Sequence, residues 1–515
     1  MRAGRVASGW RSFERAGDRL FGSEDNPLRQ LGGLGFLLFW LIAVSGGWLY
    51  VYYETSVEGA WRSVQWLTVE QWWGGGLMRS LHRYGSDAFV AVIVLHLVRE
   101  FALGRFSGFR WYSWVSGVPT LWLAIGSGAI GYWLVWDELG LFVATATAEW
   151  FGALPGFGPA LVRNFIAAEA VSDRLFSLVA FLHIGLPLAL LLAMWAHVQR
   201  ITRPRTGVSR GLALRTLLTL LALSLAWPAT SLPPAEPGRL PAAVAIDWFY
   251  LAPLVASDAG TAEAVWTLAL GLTLLLAIAP WLRRAPRPAP AVVDPAHCNG
   301  CTRCFADCPY AAIAMAPHPQ GRGEIAIVDA DRCAACGICA GACPSATPFR
   351  RAERLASGID LPWLTVDDLR ERLDAGLAGA AGRQAAGPLV VVFECERGAT
   401  LSAQPPGGPR TAVIALPCAG MVPPSFVEYA LRNGADGVVV ASCPSLDCEY
   451  RFGERWIAER LRGEREPRLR AAADSTRIGL LEVAAGEDAG LAEGLQAFAG
   501  TLAAAHSPTR ERERG

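Results

Sequence analysis

The segment HRYGSDAFVAVIVLH, from His82 to His96, begins and ends with a histidine and is mainly apolar between them. In an α-helix, 14 residues bring the chain back to within about 40° of its starting direction and advance it by about 21 Å. Both imidazoles would therefore lie on one helix face, near opposite edges of a hydrocarbon layer. The same spacing recurs in a second apolar segment, between His183 and His197.

The histidine pairs predict metal-containing cofactors. An unpaired imidazole is costly in lipid, whereas a neutral imidazole is a good ligand for iron. Two such helices facing each other could clamp two haems in a bundle core, each iron between two imidazoles. The alternative is four unrelated histidines hydrogen-bonded to backbone, Ser or Thr, which does not explain two pairs with one spacing. We therefore predict haem ligation by His82, His96, His183 and His197.

Glycines repeat with the same period in two further apolar segments. Gly33 and Gly47 are 14 residues apart in the first such segment, as are Gly117 and Gly131 in the third. A haem edge can approach a helix backbone closely only where no Cβ intervenes. The two glycine pairs are therefore predicted to face the haems.

Composition separates a membrane part from a second part. The 515 residues are 52% hydrophobic, and the long apolar stretches lie in the first 285. The 46 basic and 46 acidic residues cancel, so charge gives no reason to expect a nucleic-acid partner. About 20 apolar residues suffice for a helix to span a bilayer. Six segments qualify, the second being the most polar: Gly33–Tyr53, Gly76–Leu103, Ser113–Trp136, Leu175–His197, Gly211–Ala229 and Ala264–Leu282.

Arginines mark one side of the predicted bundle. They cluster at the N-terminus, in the loops after the second and fourth spans, and after the sixth. Positive-inside bias then places the amphipathic N-terminus (residues 1–30) and everything after Leu282 in the cytoplasm, with the bundle in a bacterial inner membrane. The basic N-terminus continues into polar residues, so it is not expected to be a signal peptide. All twelve cysteines follow residue 297, on this reducing side.

Eight of the cysteines form two identical runs. Each has the spacing C-x2-C-x2-C-x3-C and is followed by proline. Three thiolates of a run can hold one iron–sulfur cubane while the fourth completes the neighbouring cluster. Zinc, the alternative, favours two separated C-x2-C pairs. Two [4Fe–4S] clusters are therefore predicted on Cys298, Cys301, Cys304, Cys308, Cys333, Cys336, Cys339 and Cys343.

The last part of the chain alternates strand-like and helical segments, which predicts parallel strands with crossover helices. Its four cysteines lie at or just after strand ends, the edge at which open α/β sheets bind ligands. They could hold one [2Fe–2S] cluster, and buried free thiols are the alternative. The strands are predicted at Leu389–Phe393, Thr411–Leu416, Gly437–Ala441 and Ile478–Leu481, and the cysteines are Cys395, Cys418, Cys443 and Cys448.

The region from Asn26 to Leu282 resembles the cytochrome b of bc1 and b6f complexes, in its histidine and glycine spacings and in Pro187. The resemblance implies that the first histidine of each pair holds the haem nearer the outer face, and the second histidine the haem nearer the cytoplasm. It also implies that Arg79 and Arg99 contact haem propionates. The alternative is that they are ordinary charges at helix ends.

An outer quinol site is implied by two further matches to this family. Gly131-Tyr132 matches a Gly-Tyr beside that site, and the loop Ile246–Tyr250 resembles the Pro-Glu-Trp-Tyr motif, whose carboxylate accepts a quinol proton. Only Trp248 is identical there, and Asp247 keeps the carboxylate on a shorter arm. Asp247 could equally be an interfacial acid beside an aromatic belt. Thr202 replaces a family histidine at the inner quinone site.

The parts that carry the cysteines resemble two other families. The two runs are similar to bacterial two-[4Fe–4S] ferredoxins. The last domain resembles the delta (iron–sulfur) subunit of methyl-viologen-reducing hydrogenases, through its four cysteines and the turn Gly434-Ala435-Asp436-Gly437. Gly398 replaces a further cysteine of that family. That subunit passes electrons to heterodisulfide reductase-type flavoproteins, which implies a similar soluble partner here.

These features predict a multidomain protein: an all-α transmembrane bundle of six spans, an α+β two-cluster ferredoxin and an α/β parallel-sheet domain. The boundaries are 1–284 for the bundle, 285–296 for a linker, 297–349 for the ferredoxin, 350–387 for a helical connector, 388–505 for the delta-like domain and 506–515 for a tail. The predicted function is respiratory electron transfer between the quinone pool and a cytoplasmic flavoprotein or heterodisulfide reductase-like subunit, and the cytochrome b resemblance implies a homodimer. Two alternatives stay open, a passive conduit and membrane anchor without a quinone site, and membrane packing without cofactors.

Overall fold

The computed structural model describes residues 5–155, 171–236, 245, 248–282, 287–321, 323–382, 387–401, 409–470 and 473–506. The chain divides into two compact units, residues 1–199 with 204–284, and residues 200–203 with 285–515. Each unit has its own hydrophobic core.

The first unit is built from α-helices. An amphipathic helix precedes apolar ones, and two antiparallel pairs, α2 with α4 and α5 with α7, make its most extensive contacts. The helices are α1 (Arg5–Phe21), α2 (Leu31–Tyr52), α3 (Gly59–Val69), α4 (Leu77–Ala102), α5 (Trp111–Val135), α6 (Glu138–Gly152), α7 (Asp173–His197), α8 (Arg210–Ala226), α9 (Trp248–Ala259) and α10 (Ala262–Leu282).

Four stretches of the described residues are long and apolar enough to cross a membrane: α2, Gly108–Val135, α7 and α10. All six predicted spans coincide with helices, but α4 contains charged residues and α8 has only 17 residues. At 1.5 Å per residue, α8 is about 26 Å long, which is short of a hydrocarbon core of about 30 Å. Among the described residues, four of the six predicted spans are therefore long and apolar enough to cross a membrane. The arrangement with six spans stays a prediction.

A buried carboxylate fixes the turn between α5 and α6. Asp137 caps α6, because its carboxylate accepts hydrogen bonds from the backbone N–H groups of Gly140 (2.8 Å) and Leu232 (3.0 Å). Trp136, just before it, adopts the left-handed conformation (φ 52°) that ends α5. This turn sets the direction in which the chain leaves α5.

The second unit begins with the two cysteine runs. A short ribbon of β1 (Val292–Val293) and β4 (Ile359–Asp360) and a hairpin of β2 (Ile313–Pro317) and β3 (Glu324–Val328) are both antiparallel. Short helices α11 (Arg303–Asp307) and α12 (Ile338–Gly341) lie between the cysteines. Strand β1 falls within the predicted linker 285–296, so the end of that segment belongs to the fold.

A four-stranded parallel sheet of order β6-β5-β7-β8 forms the rest of this unit. The predicted strands and their parallel direction are confirmed, and every residue of β5 is buried. A capping box starts the connector helix α13, with Asp368 accepting from the backbone N–H of Thr365 at 2.7 Å. The elements are α13 (Val366–Ala381), β5 (Leu389–Cys395), β6 (Arg410–Leu416), α14 (Pro424–Arg432), β7 (Gly437–Ser442), α15 (Gly453–Leu461), β8 (Ile478–Glu482) and α16 (Asp488–His506).

Candidate redox sites

Four imidazoles of the first unit meet in two pairs. The rings of His82 on α4 and His183 on α7 have centroids 6.2 Å apart, and those of His96 and His197 on the same helices are 6.4 Å apart. Two imidazoles that share one metal, with metal–nitrogen bonds of about 2.0 Å, have ring centroids about 6.2 Å apart. Each pair therefore leaves the space of one iron between its rings. The ring planes cross steeply, at 69° and 81°.

Neighbouring helices hold the rings of the first pair. Nδ1 of His82 lies 3.1 Å from the carbonyl oxygen of Ile42, and Nδ1 of His183 lies 3.0 Å from that of Ser127. An imidazole that donates its Nδ1–H to a carbonyl presents Nε2 to a metal, and the hydrogen bond makes Nε2 a more basic ligand. Both rings are thus oriented for iron.

In the second pair, only one of the two rings has a hydrogen-bond partner at Nδ1 among the described residues. Nδ1 of His197 lies 3.2 Å from the hydroxyl oxygen of Ser116. Nδ1 of His96 is buried and has no hydrogen-bond partner among the described residues. The two candidate haem sites therefore differ in the support given to their ligands.

The glycines of α5 lie against the imidazoles of α7. A Cβ at Gly131 would lie 3.2 Å from His183, and a Cβ at Gly117 would lie 3.2 Å from His197. That distance is tighter than ordinary van der Waals contact, so a side chain here would press on the ring. Both predicted glycines of this helix therefore lie at the two candidate haem sites.

On α2 the glycines beside the imidazoles stand one residue earlier than the predicted pair. A Cβ at Gly46 or Gly32 would lie 2.7 Å or 3.9 Å from the nearest imidazole of α4. A Cβ at Gly33 would instead meet the carbonyl oxygen of Gly207 at 2.5 Å, and a Cβ at Gly47 would meet no described atom within 4 Å. Helix α2 thus presents a second glycine pair with the period of 14, and the haem contact of Gly33 and Gly47 stays a prediction.

Two cavities of the second unit are lined by thiols from both cysteine runs. Three thiols of one run and the fourth of the other line each cavity, which is the exchange typical of two-cluster ferredoxins. Burial raises the pKa of Cys304 to about 12 and raises the pKa of Cys339 well above its usual value. Thiolates at these positions therefore need a metal to stabilise them. The cavity of about 310 Å³ is lined by Cys298, Cys301, Cys304 and Cys343, and that of about 360 Å³ by Cys308, Cys333, Cys336 and Cys339.

Four further thiols converge at the carboxyl end of the parallel sheet. Cys395 ends β5, Cys418 and Cys443 follow β6 and β7, and Cys448 lies in the next loop. The sulfur atoms of Cys395 and Cys443 are 3.6 Å apart. Hydrogen bonds from the thiols of Cys418 and Cys443 lower the pKa of Cys395. A metal cluster could replace the thiol protons and bridge the four sulfur atoms.

Three family models match the chain, one for each of these sites. Cytochrome b/b6/petB matches residues 23–204, the 4Fe-4S dicluster domain residues 297–347, and the methyl-viologen-reducing hydrogenase delta subunit residues 390–505. The cytochrome b subunit of the menaquinol:cytochrome c reductase of Geobacillus thermodenitrificans is 32% identical over 175 residues, which are 33% of this chain and 77% of the relative. The chain belongs to the cytochrome b/b6 family. The cytochrome b6 of Heliobacterium mobile is likewise 32% identical over 168 residues, 32% of this chain and 78% of the relative.

A solved structure described as a hyperthermophilic respiratory Complex III is similar at a TM-score of 0.42 and 19% identity, over 54% of this chain and 83% of the other. Membership of the cytochrome b/b6 family makes this chain a membrane protein that binds b-type haem. The dicluster match adds iron–sulfur clusters to the same polypeptide, in preference to zinc. Haem and iron–sulfur clusters both carry single electrons, so the chain is a membrane electron-transfer protein.

Both predicted propionate ligands of this cytochrome b have protein partners. Arg79 donates a hydrogen bond to the hydroxyl of Thr68 at 2.6 Å. Arg99 is only 7% exposed, and it donates to the carboxylates of Glu14 on α1 (2.7 Å) and Glu100 (3.1 Å). No sequence pattern indicates the contact with Glu14, because 85 residues separate the two partners. The propionate contacts stay predictions.

A cluster of polar and aromatic side chains lies between α4, α5 and α9. The rings of Tyr132 and Tyr250 pack edge to face with centroids 6.3 Å apart. The guanidinium of Arg83 lies 5.2 Å from the centre of the Tyr132 ring, and it forms an ion pair with Asp87. Arg83 and Asp87 are one helical turn apart in a mainly apolar segment, a pattern that marks functional positions in membranes.

The predicted quinol residues are only partly placed. Asp247 lies outside the described residues. The backbone of Trp248 begins α9, whereas its side chain is not among the described parts of the structure. Tyr132 and Tyr250 are the members of the predicted quinol motifs that the structure brings together.

Proposed function

We propose that this cytochrome b/b6 protein carries electrons between the membrane quinone pool and a cytoplasmic redox partner in a respiratory complex. The route comprises two b haems, two [4Fe–4S] clusters and one [2Fe–2S] cluster. The observation that carries the proposal is the geometry of the imidazole pairs, whose centroid distances of 6.2 Å and 6.4 Å fit one iron each. The relative named menaquinol:cytochrome c reductase supports quinone as the membrane substrate.

Each cofactor has a proposed set of protein ligands. His82 and His183 hold one haem and His96 and His197 the other, while the propionates reach Arg79 and Arg99. When bound, these groups supply one-electron chemistry. The crossed thiol sets that line the two cavities hold the [4Fe–4S] clusters, and the four thiols at the sheet edge hold the [2Fe–2S] cluster.

The membrane arrangement follows from charge. Six helices span the bacterial inner membrane, with the N-terminus and the cysteine-bearing unit in the cytoplasm, because arginines are concentrated on that side. The cytoplasmic partner is a flavoprotein or heterodisulfide reductase-like subunit, as the delta-subunit match suggests. The membrane part forms a homodimer.

Quinol chemistry takes place at the outer end of the bundle, near Tyr132 and Tyr250. Oxidation of a quinol releases two electrons and two protons, so the site needs a base within hydrogen-bond reach of a quinol hydroxyl. Asp247 is the proposed base, and Trp248 and Tyr132 complete the site. His82 and His183 would hold the haem nearest this site, and that haem would supply one-electron chemistry for quinol oxidation or, in reverse, for quinone reduction.

The test is the rate at which a short-chain quinol reduces the haems of the purified protein without its partner. Asp247→Asn should slow this reduction by about 100-fold or more, because general-base catalysis contributes at least that much. Asp258→Asn is a matched control, since Asp258 is an exposed carboxylate on α9, 11 residues after Asp247 in the chain. An unchanged rate in Asp247→Asn would favour the passive conduit, and a protein without a haem α-band would contradict the proposal altogether.

A further inference from the structure

Two cysteine-bearing loops of the second unit touch through bare backbone. Gly337 and Gly341 belong to the loop around α12, Gly420 lies two residues after Cys418, and Gly453 begins α15. We call these four residues the glycine seam. A Cβ at Gly420 would lie 2.8 Å from Cα of Gly453, and a Cβ at Gly341 would overlap the carbonyl oxygen of Gly420. Backbone atoms cannot rotate away from a clash as a side chain can. The segments can therefore approach this closely only because the residues at the contact are glycines.

The glycine seam lies beside thiols of two different candidate clusters. On one side, Gly337 directly follows Cys336. On the other side, a Cβ at Gly453 would overlap Sγ of Cys418. Cys336 and Cys418 therefore flank the glycine seam from its two sides.

Apolar side chains seal the glycine seam from water. Ile338 is fully buried, and its side chain lies 3.1 Å from the position of a Cβ at Gly420. Met421 is 1% exposed, and its sulfur lies 2.6 Å from the position of a Cβ at Gly337. A dry, closely packed contact limits the solvent rearrangement that would accompany a change of charge.

A buried arginine links the loop after Cys418 to the first cysteine run. Arg460 of α15 has no exposed surface, and it donates to the carbonyl oxygen of Gly420 at 2.9 Å and to the carboxylate of Asp307 at 2.5 Å. Asp307 immediately precedes Cys308, whereas Gly420 closely follows Cys418. Trp456 adds a hydrogen bond from its indole to the carbonyl oxygen of Asp307 at 3.2 Å. Breaking such a buried ion pair is strongly unfavourable. This clamp of Arg460, Asp307 and Gly420 therefore fixes the distance between the segments that carry Cys308 and Cys418.

From this geometry we infer that the cluster at the sheet edge exchanges electrons directly with one of the two ferredoxin clusters. That cluster is the one held by Cys308, Cys333, Cys336 and Cys339, and the glycine seam is the point of exchange. One electron crosses at a time, oxidising one cluster and reducing the other, and no covalent bond of the protein changes. The inference rests on the proposed function, because both clusters must be present. It orders the route, since the cluster of Cys298, Cys301, Cys304 and Cys343 then stands one step further from the sheet-edge cluster.

Electron paramagnetic resonance of the purified full chain tests this order. When all clusters are reduced, the signal of the sheet-edge cluster should be split or relax faster through its neighbour. Cys336→Ser should abolish this interaction, whereas Cys301→Ser should preserve it. The opposite pattern would overturn the inference.

A second substitution tests the glycine seam itself. Gly341→Ala forces the loops apart, so it should weaken the magnetic interaction while the iron content stays that of the native chain. Gly379→Ala is the matched control, because a Cβ at Gly379 would meet no described atom within 4 Å. Should Gly341→Ala lose iron, Arg460→Gln loosens the clamp without adding volume at the seam and should weaken the interaction in the same way. If the native chain contains the clusters but they show no magnetic interaction, this inference is wrong and the proposed function is unaffected. If the native chain contains no clusters, the proposed function is wrong as well.

Discussion

Because the imidazole of His96 lacks a hydrogen-bond partner at Nδ1 among the described residues, we predict that the two haems differ in midpoint potential. A hydrogen bond that an axial imidazole donates from Nδ1 makes the ring a more basic ligand, which favours the oxidised iron. The other three imidazoles have such a partner within 3.2 Å, whereas Nδ1 of His96 has none among the described residues. The haem between His96 and His197 should therefore have the higher midpoint potential. Electrons would then run downhill to it from the haem between His82 and His183.

The missing hydrogen bond of His96 sets the size of the difference between the two midpoint potentials. Loss of an outer partner typically changes metal affinity about 10- to 100-fold. Where this change falls on the oxidised iron alone, each tenfold step shifts the potential of a one-electron couple by about 59 mV. The two haems should thus differ by about 60 to 120 mV. A Cβ at Gly32 would lie 3.9 Å from Cε1 of His96, the ring carbon bonded to Nδ1. A serine at this position can accept the missing hydrogen bond, so Gly32→Ser should lower the potential of this haem by about 60 mV.

The assay is an optical redox titration of the haem α-bands in the purified protein. Gly35→Ser is the matched control, because the described atoms that a Cβ at Gly35 would meet within 4 Å are side-chain atoms of Ile93 and Phe89, at 4.0 Å. The control should leave both potentials unchanged, and Gly32→Ser should move one of them. Two haems that titrate together in the native protein, or equal shifts in the two variants, would refute the reasoning.

Three further substitutions test separate parts of the account. His183→Ala should remove one of the two haems and leave the other on its own imidazole pair, so a haemochrome assay should show half the native haem content; loss of both haems would contradict two independent sites. Cys395→Ala should remove the paramagnetic signal of the sheet-edge cluster and spare the ferredoxin clusters, and an unchanged spectrum would rule out Cys395 as a ligand. Thr365→Ala removes the cap of α13 and should destabilise the second unit by about 1 kcal/mol, seen as a lower thermal midpoint by circular dichroism, whereas Thr365→Ser should retain the cap. Equal midpoints for these two variants would show that the capping box contributes nothing.

The histidine pairing could be predicted because it depends only on the period of a helix. Fourteen residues restore the direction of a side chain whatever surrounds the helix, so His82 and His96 share one face in any packing. The rotation of α2 about its own axis depends on packing against α4, which sequence does not specify. From the sequence we predicted that Gly33 and Gly47 face the haems. In the structure, the glycines of α2 that lie beside the imidazoles are Gly32 and Gly46, one residue earlier.

The parallel strands were predicted to within two residues at their ends, because buried strands are short apolar runs with clear borders. The exchange of cysteines between the two runs also followed from spacing, and the linings of the two cavities agree with it. The contact between the ferredoxin-like part and the sheet could not be predicted. It depends on an ion pair between Asp307 and Arg460, which are 153 residues apart, and no local pattern relates two such distant residues.

Low-temperature electron paramagnetic resonance of the oxidised protein tests the haem sites most directly. Steeply crossed imidazole planes, at 69° and 81°, should give two highly anisotropic low-spin haem signals. Replacing either member of one pair should remove only the signal of that pair. A high-spin signal, or two low-spin signals that survive the loss of His82 and His96, would contradict haem ligation by these four residues.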